Sequence, residues 1–254
     1  MKIGDLARRS TRLAAALAAR GIGRGDRIAI MVPQSADAAI VHLATYKLGA
    51  IAVPLATQFG PDAIAYRLRT SGARAFVAFG KGIARARETG ALDKLDLVAE
   101  AGALSNKAGA LETLIATGGP DFAPVDTVPD DPAMMLFTSG TTGQPKGTLH
   151  GHRVLLGHLP GIELAQNFMP QAGDVFWTPS DWAWAGGLLN ALLPALCHGV
   201  PVVAALAPKF EPVWALEVMK RCAVTNVFLP PTALRLMRQA GVRAAPGLRS
   251  VTSA

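Results

Sequence analysis

Residues 138–147, T-S-G-T-T-G-Q-P-K-G, gather the groups in this chain best suited to holding an anion. Thr138, Ser139, Thr141 and Thr142 supply hydroxyl donors. Gly140, Gly143 and Gly147 let backbone N–H groups turn towards a ligand with no Cβ in the way. Lys146 adds a mobile positive charge able to follow a phosphate as it departs, and Pro145 gives that lysine a constrained base. The apolar run Met134 to Phe137 comes directly before and suits a buried strand. The expectation is a phosphate loop at a strand end, exposed over 139–146 and poorly ordered without ligand, because few apolar side chains anchor it. The bland alternative is a Ser/Thr/Gly turn joining two strands.

A Walker A loop needs G-x-x-x-x-G-K-S/T. Counted from Gly140, Pro145 stands where the second glycine belongs and Gly147 where the magnesium-binding hydroxyl belongs. The stretch instead resembles the phosphate loop of the AMP-forming adenylating enzymes, which include acyl-CoA synthetases, peptide-synthetase adenylation domains and luciferases. Their signature, S/T-S-G-S/T-T-G-x-P-K-G, is met at every specified position of 138–147. Further segments resemble the same family: G-D-R-I-A-I-M-V-P-Q at 25–34, L-A-T-Y-K-L-G-A-I-A-V-P-L at 43–55, and F-L-P-P-T-A-L-R at 228–235. S-D-W-A-W at 180–184, followed by Gly186 and Gly187, is similar to the S-D-x-x-W region of medium-chain acyl-CoA synthetases. That region lines their acyl pocket, so the resemblance implies a pocket wall made by Trp182, Trp184, Gly186 and Gly187. Core packing by the two tryptophans is the competing reading.

The 254-residue chain is long enough for one large domain or two smaller ones. It is 50% hydrophobic and only 17% charged, which fits a globular protein rather than a disordered one. Its formal charge of +7 comes without any run of five basic residues and with only 6% aromatics. A nucleic-acid groove needs basic clustering and aromatic platforms together, so an anionic small ligand is the better match. Cys197 and Cys222 lack metal-ligand spacing and cannot build a disulfide framework. They read as buried, reduced cysteines of a cytoplasmic protein. His150, His152 and His158 lie close together but without a cysteine or acid at matching spacing, so no metal site is expected there.

The elements that must position the loop follow from periodicity. Residues 5–20 are arginine-rich enough to pass for a transit peptide, yet Leu6, Leu13 and Leu17 share one helical face broken only by Ser10. They read as the first helix of a domain. Strands are expected at 28–32, 49–54 and 75–79, and helices at 36–48, capped by Ser35, and at 61–70, opened by Pro61. Weaker helix and strand signals run to about residue 115. Residues 117–133 carry four prolines and two glycines, which places a subdomain boundary there. Beyond the loop the pattern predicts helices at 152–168 (bent at Pro160), 184–198, 211–221 and 231–240. Strands are expected at 175–178, 202–204, 224–229 and 248–253. The long uncharged stretch 183–207 contains Pro194, Pro201 and three glycines, and reads as core rather than a membrane span.

The expected fold is therefore α/β, with two mainly parallel-sheet subdomains. The first covers 1–125 and the second, carrying the loop, 126–254. By resemblance they form the N-terminal domain of an adenylating enzyme, incomplete at both ends. The implied reaction is attack of a carboxylate on ATP to give acyl-AMP and pyrophosphate, followed by acyl transfer to the thiol of coenzyme A. In it, Lys146 with residues 138–143 and Gly147 would hold the phosphates, with Mg²⁺ assisting. Family members are about twice as long. Their adenine-binding G-E turn, magnesium-holding glutamate, ribose-binding aspartate and catalytic lysine find no counterpart here, so this chain alone is expected to be inactive. Two other readings stay open: a nucleotide- or partner-binding module without turnover, and an unrelated NTPase. The latter needs a Walker-B-like acid, and Asp174 and Asp181 stand at the wrong ends of their segments for that.

Overall fold

The structure is a computed structural model that describes residues 1–102, 110–138, 143–205, 207, 209–242 and 247–253. The chain forms two compact units, residues 1–153 and 154–254.

The first unit runs α1 (Ile3–Ala18), β1 (Arg27–Met31), α2 (Ala36–Lys47), β2 (Ile51–Pro54), α3 (Pro61–Ser71), β3 (Ala75–Ala78) and α4 (Gly80–Arg87). It continues with β4 (Leu97–Glu100), α5 (Ala110–Thr117), β5 (Pro132–Thr138) and β6 (Lys146–Gly151). The sheet has the order β4-β3-β1-β2-β5-β6. Its first five strands are parallel, and β6 folds back antiparallel on β5. Short Ile-, Val- and Ala-rich strands suit such a sheet, because helices cover both faces and every residue of β2 and β3 is buried. One layer of the core packs Met31, Val53, Leu55, Ile64, Leu68 and Phe76 together.

The first helix buries Leu6, Leu13 and Leu17, as its periodicity predicts. Ser10 lies on that same buried face because Lys47 of α2 needs it. The Lys47 ammonium donates to Ala7 O at 2.8 Å, Ser10 Oγ at 2.9 Å and Thr11 Oγ1 at 2.8 Å. Three acceptors satisfy all three ammonium protons, and burial draws the Lys47 pKa below the ordinary lysine value. Ser35 caps α2, accepting from the Ala38 N–H at 3.3 Å. Gly72 closes α3 with φ of +62°, a conformation an L side chain rarely adopts.

By contact the two units divide at 153/154. Residues 118–131 form neither helix nor strand, as their prolines require, but they remain free to lie along the first unit. The Val125 N–H donates to Lys47 O at 2.8 Å, and Arg24 pairs with Asp131 at 2.5 Å. Next, β5 joins β2 in parallel through Ala52 and Met134. The strand before the loop thus belongs to the first sheet.

The second unit contains α6 (Arg153–Ala165), β7 (Phe176–Trp177), α7 (Ala185–Gly187), a π-helical turn (Leu188–Leu192) and α8 (Leu193–Cys197). It ends with α9 (Pro212–Arg221), β8 (Asn226–Phe228), α10 (Pro231–Gln239) and β9 (Ser250–Thr252). The three strands form a parallel sheet in the order β7-β8-β9. Trp177, Ala215, Met219, Val227 and Leu229 make one cluster, and Phe176, Ala191, Ala195 and Phe228 another. Alternating strand residues thus face opposite sides.

Two expectations are corrected in this unit. The strand at 202–204 is reduced to a single bridge between Phe176 and Val202, since Pro201 has no N–H to extend a ladder. Cys197 and Cys222 are free, as expected, but exposed: each lies at the C-terminal end of a helix rather than on its buried face. The stretch 183–207 does pack as core through Leu188, Leu189, Leu192 and Leu193. Among the described residues no helix is long and apolar enough to cross a membrane.

A buried polar knot ties α6 to the sheet. Arg249 Nη2 reaches both carboxylate oxygens of Asp174 at 2.6 Å, and its Nη1 donates to Asn167 O at 2.6 Å. Gln166 donates to Thr252 Oγ1 at 2.6 Å, and Asn226 donates to Gln166 O at 3.2 Å. Asp174 is therefore committed to a structural ion pair.

Candidate functional site

The loop expected to bind phosphate leaves the sheet at its carboxyl end, where open α/β sheets place their ligands. β5 ends at Thr138 and β6 begins at Lys146, and the two residues face each other as the last pair of the ladder. The turn is thus the tip of a hairpin, and β6 was not foreseen as a strand. Residues 139–142 lie outside the described residues, so the structure describes Ser139, Gly140, Thr141 and Thr142 no further. Gly143, Gln144 and Lys146 are exposed. Gly143 has φ of +96°, which explains the glycine at this place. At Gly147 the constraint is packing: a Cβ there would stand 2.7 Å from Met135 Sδ.

Helix α3 supports the hairpin with two side chains the sequence reading did not single out. The Tyr66 hydroxyl donates to Pro145 O at 2.9 Å. Its ring meets Phe137 edge-on, with centroids 6.4 Å apart at 71°. The neighbouring Arg67 guanidinium stacks 4.1 Å from the centroid of Phe59 and 5.5 Å from that of Phe137. Arg67 is 8% exposed, and burial pulls its pKa below the ordinary arginine value. Nothing in an amphipathic helix marks a tyrosine–arginine pair as the support of a distant loop. A signal existed only in the aromatic Phe137 at the strand end, which needs a partner.

The residues expected to wall an acyl pocket belong to the second unit, and the structure separates the two tryptophans. Trp182 is 3% exposed, with its indole N–H buried and without a hydrogen-bond partner. Trp184 is 42% exposed and stands directly before α7. An aspartate turn shapes the segment, with the Ala183 N–H donating to Asp181 Oδ1 at 3.0 Å. Both glycines sit where no side chain fits. A Cβ on Gly187 would lie 2.4 Å from the Asp181 carbonyl oxygen, and one on Gly186 would lie 2.7 Å from the Phe228 ring. Phe228 ends β8, so the F-L-P-P segment and the tryptophan segment meet face to face.

Of the three clustered histidines, His152 packs against Tyr46, with ring centroids 6.3 Å apart. Among the described residues no group of three or more His, Cys, Asp or Glu side chains could hold a metal ion. Tyr46 in turn meets buried His42, whose Nδ1 lies 3.1 Å from the phenolic oxygen. Burial lowers the His42 pKa to about 4 and raises that of Tyr46, so both stay neutral.

Comparison with known proteins agrees with this architecture. An acetyl-coenzyme A synthetase of Candida albicans is 29% identical over 94% of this chain and 38% of its own length. A mitochondrial acyl-coenzyme A synthetase of Rattus norvegicus is 30% identical over 86% of this chain and 38% of its own. Among solved structures, an acyl-CoA synthetase of Brucella canis superposes with a TM-score of 0.83 at 31% identity, covering 98% of this chain and 46% of that one. ATP-bound MatB from Rhodopseudomonas palustris gives 0.83 at 26% identity, covering 98% and 48%. The chain therefore spans less than half the length of these relatives. The family described as AMP-binding enzyme matches residues 3–254, and the chain belongs to that family.

Proposed function

We propose that this chain carries the polyphosphate-binding and acyl-binding parts of an AMP-forming acid–thiol ligase of fatty-acid metabolism. In that reaction a carboxylate oxygen attacks the α-phosphorus of ATP, and the bond to the bridging oxygen of pyrophosphate breaks. The thiol of coenzyme A then attacks the acyl carbon and AMP leaves. The observation that carries this reading is the hairpin at the carboxyl end of the parallel sheet, with Gly143, Gln144 and Lys146 exposed and Lys146 opposite Thr138.

In this reading Thr138, Ser139, Thr141, Thr142 and the amides of Gly140, Gly143 and Gly147 grip the β- and γ-phosphates. Lys146 neutralises pyrophosphate as negative charge grows on it. Trp184, with Gly186 and Gly187 behind it, walls the space for an apolar acyl chain. Trp182 supports that wall from the core. The family's magnesium would neutralise the same phosphates when bound. The described residues do not fit a metal cage, so no step is assigned to the ion. Free cysteines fit a reducing, cytoplasmic setting.

A second reading is nucleotide binding without turnover. A pyrophosphate-exchange assay of the purified chain with ATP and medium-chain fatty acids, paired with an ATP titration, tests whether residues 1–254 adenylate alone, and a chain that does not bind ATP would overturn both readings. No exchange, together with measurable ATP binding, is expected. Robust exchange would show that residues 1–254 suffice for adenylation and would overturn the binding-only reading.

A further inference from the structure

The loop has an asymmetric support. Its two stems are Phe137–Thr138 on one side and Pro145–Lys146 on the other, and among the described residues of the hairpin the β5–β6 ladder joins them. Tyr66 touches both stems from outside. Its ring lies edge-on against Phe137 just before the loop, and its hydroxyl binds the carbonyl of Pro145 just after it. Proline has no N–H, so this carbonyl is its only backbone polar group, and it immediately precedes the lysine. Arg67, the next residue on α3, stacks over the same Phe137 and over Phe59, which keeps the aromatic stem from turning. Contact with both stems fixes the described residues Pro145 and Lys146 relative to Phe137 and Thr138.

We propose that Tyr66 is a positioning residue for the phosphate loop, setting where Lys146 and the adjoining amides stand before polyphosphate arrives. This rests on the phosphate-binding reading of the loop. The chemistry is preorganisation: a donor held in place loses less freedom on binding than one that must be ordered by the ligand. The ring and the hydroxyl have separable parts in this, since the ring packs while only the hydroxyl reaches across to the second stem.

The test uses the whole chain as wild type, Tyr66→Phe and Tyr66→Ala. Amide hydrogen exchange over 143–147 is measured without ligand, and the affinity for inorganic tripolyphosphate is measured by titration. Tyr66→Phe keeps the ring, so its melting temperature should match the wild type, while exchange over 143–147 should quicken about threefold to tenfold. Tripolyphosphate affinity should fall by a similar factor. Tyr66→Ala should show both effects and a lower melting temperature. Unchanged exchange over 143–147 in Tyr66→Phe would overturn the proposal, as would faster exchange with unchanged tripolyphosphate affinity. If the wild type does not bind tripolyphosphate at all, the phosphate reading of the loop fails. The exchange comparison then still decides whether Tyr66 restrains it.

Discussion

Thr138 and Lys146 form the closing pair of the β5–β6 hairpin, so the lysine is presented from a strand end directly across from the last residue before the loop. The ladder fixes the backbone of Lys146 relative to the sheet and leaves its exposed ammonium able to reach an anion. For Lys146→Ala, tripolyphosphate affinity of the chain should drop about tenfold, the cost of one solvent-exposed charge-assisted hydrogen bond. In any longer form that turns over, the same change should lower the adenylation rate about a hundred- to a thousandfold with little effect on fatty-acid affinity. Rate and binding assays with ATP and fatty acid varied separately check this. A loss confined to fatty-acid affinity would remove the phosphate role from Lys146.

The two pocket glycines should respond differently to alanine. At Gly187 the new methyl would meet backbone, the Asp181 carbonyl, at 2.4 Å, whereas at Gly186 it would meet a phenyl ring at 2.7 Å. Rings shift more easily than backbone. Gly187→Ala should therefore destabilise the fold by about 1–3 kcal/mol, and Gly186→Ala by less. Helix propensity favours alanine by about 1 kcal/mol, so a net loss identifies the clash. Denaturant unfolding of both variants gives the comparison.

Removing the carboxylate of Asp174 should be costly. Its side chain is 2% exposed and pairs with Arg249, which is itself only 22% exposed. Asp174→Ala leaves that half-buried guanidinium without its anion but with the Gln166 and Asn167 carbonyls, and should cost about 2–3 kcal/mol of stability. Replacing both residues with apolar ones should cost less than the single change, which a double-mutant cycle would reveal.

Stability should also fall in mild acid through His42. Its folded pKa of about 4 lies below the ordinary 6.5, so the unfolded chain binds the proton more readily. The stability is fully present above about pH 6.5 and is lost as pH falls through about 4, to a total of about 3 kcal/mol. His152, whose pKa burial also lowers, acts in the same direction. His42→Gln keeps a partner for Tyr46 but does not titrate. The difference between wild type and this variant in denaturant midpoints should therefore change with pH from 7 to 4. A pH-independent difference would contradict the assignment.

Much of the fold was legible because its strands are short apolar runs and its helices carry clear start signals, as at Ser35 and Pro61. The place of the loop at a strand end was legible because the apolar run Met134 to Phe137 comes directly before it. Three features were not. The antiparallel strand β6 is exposed along Lys146 to Leu149 and has no alternation to betray it. The contact-based division at 153/154 was not legible, because proline content reports what a segment cannot form, not what it lies against. The support of the loop by Tyr66 and the contact of Gly186 with Phe228 are long-range pairings, and apart from the aromatic Phe137 at the strand end the linear sequence carries no trace of them.

The binding of polyphosphate by the hairpin tip is tested most directly by titrating sodium tripolyphosphate into the ¹⁵N-labelled chain and following the backbone amides. The largest shifts should fall on Gly143, Lys146 and Gly147 and should saturate, and Lys146→Ala should weaken the binding. Shifts centred elsewhere with these three amides unmoved, or no shift at millimolar ligand, would contradict it.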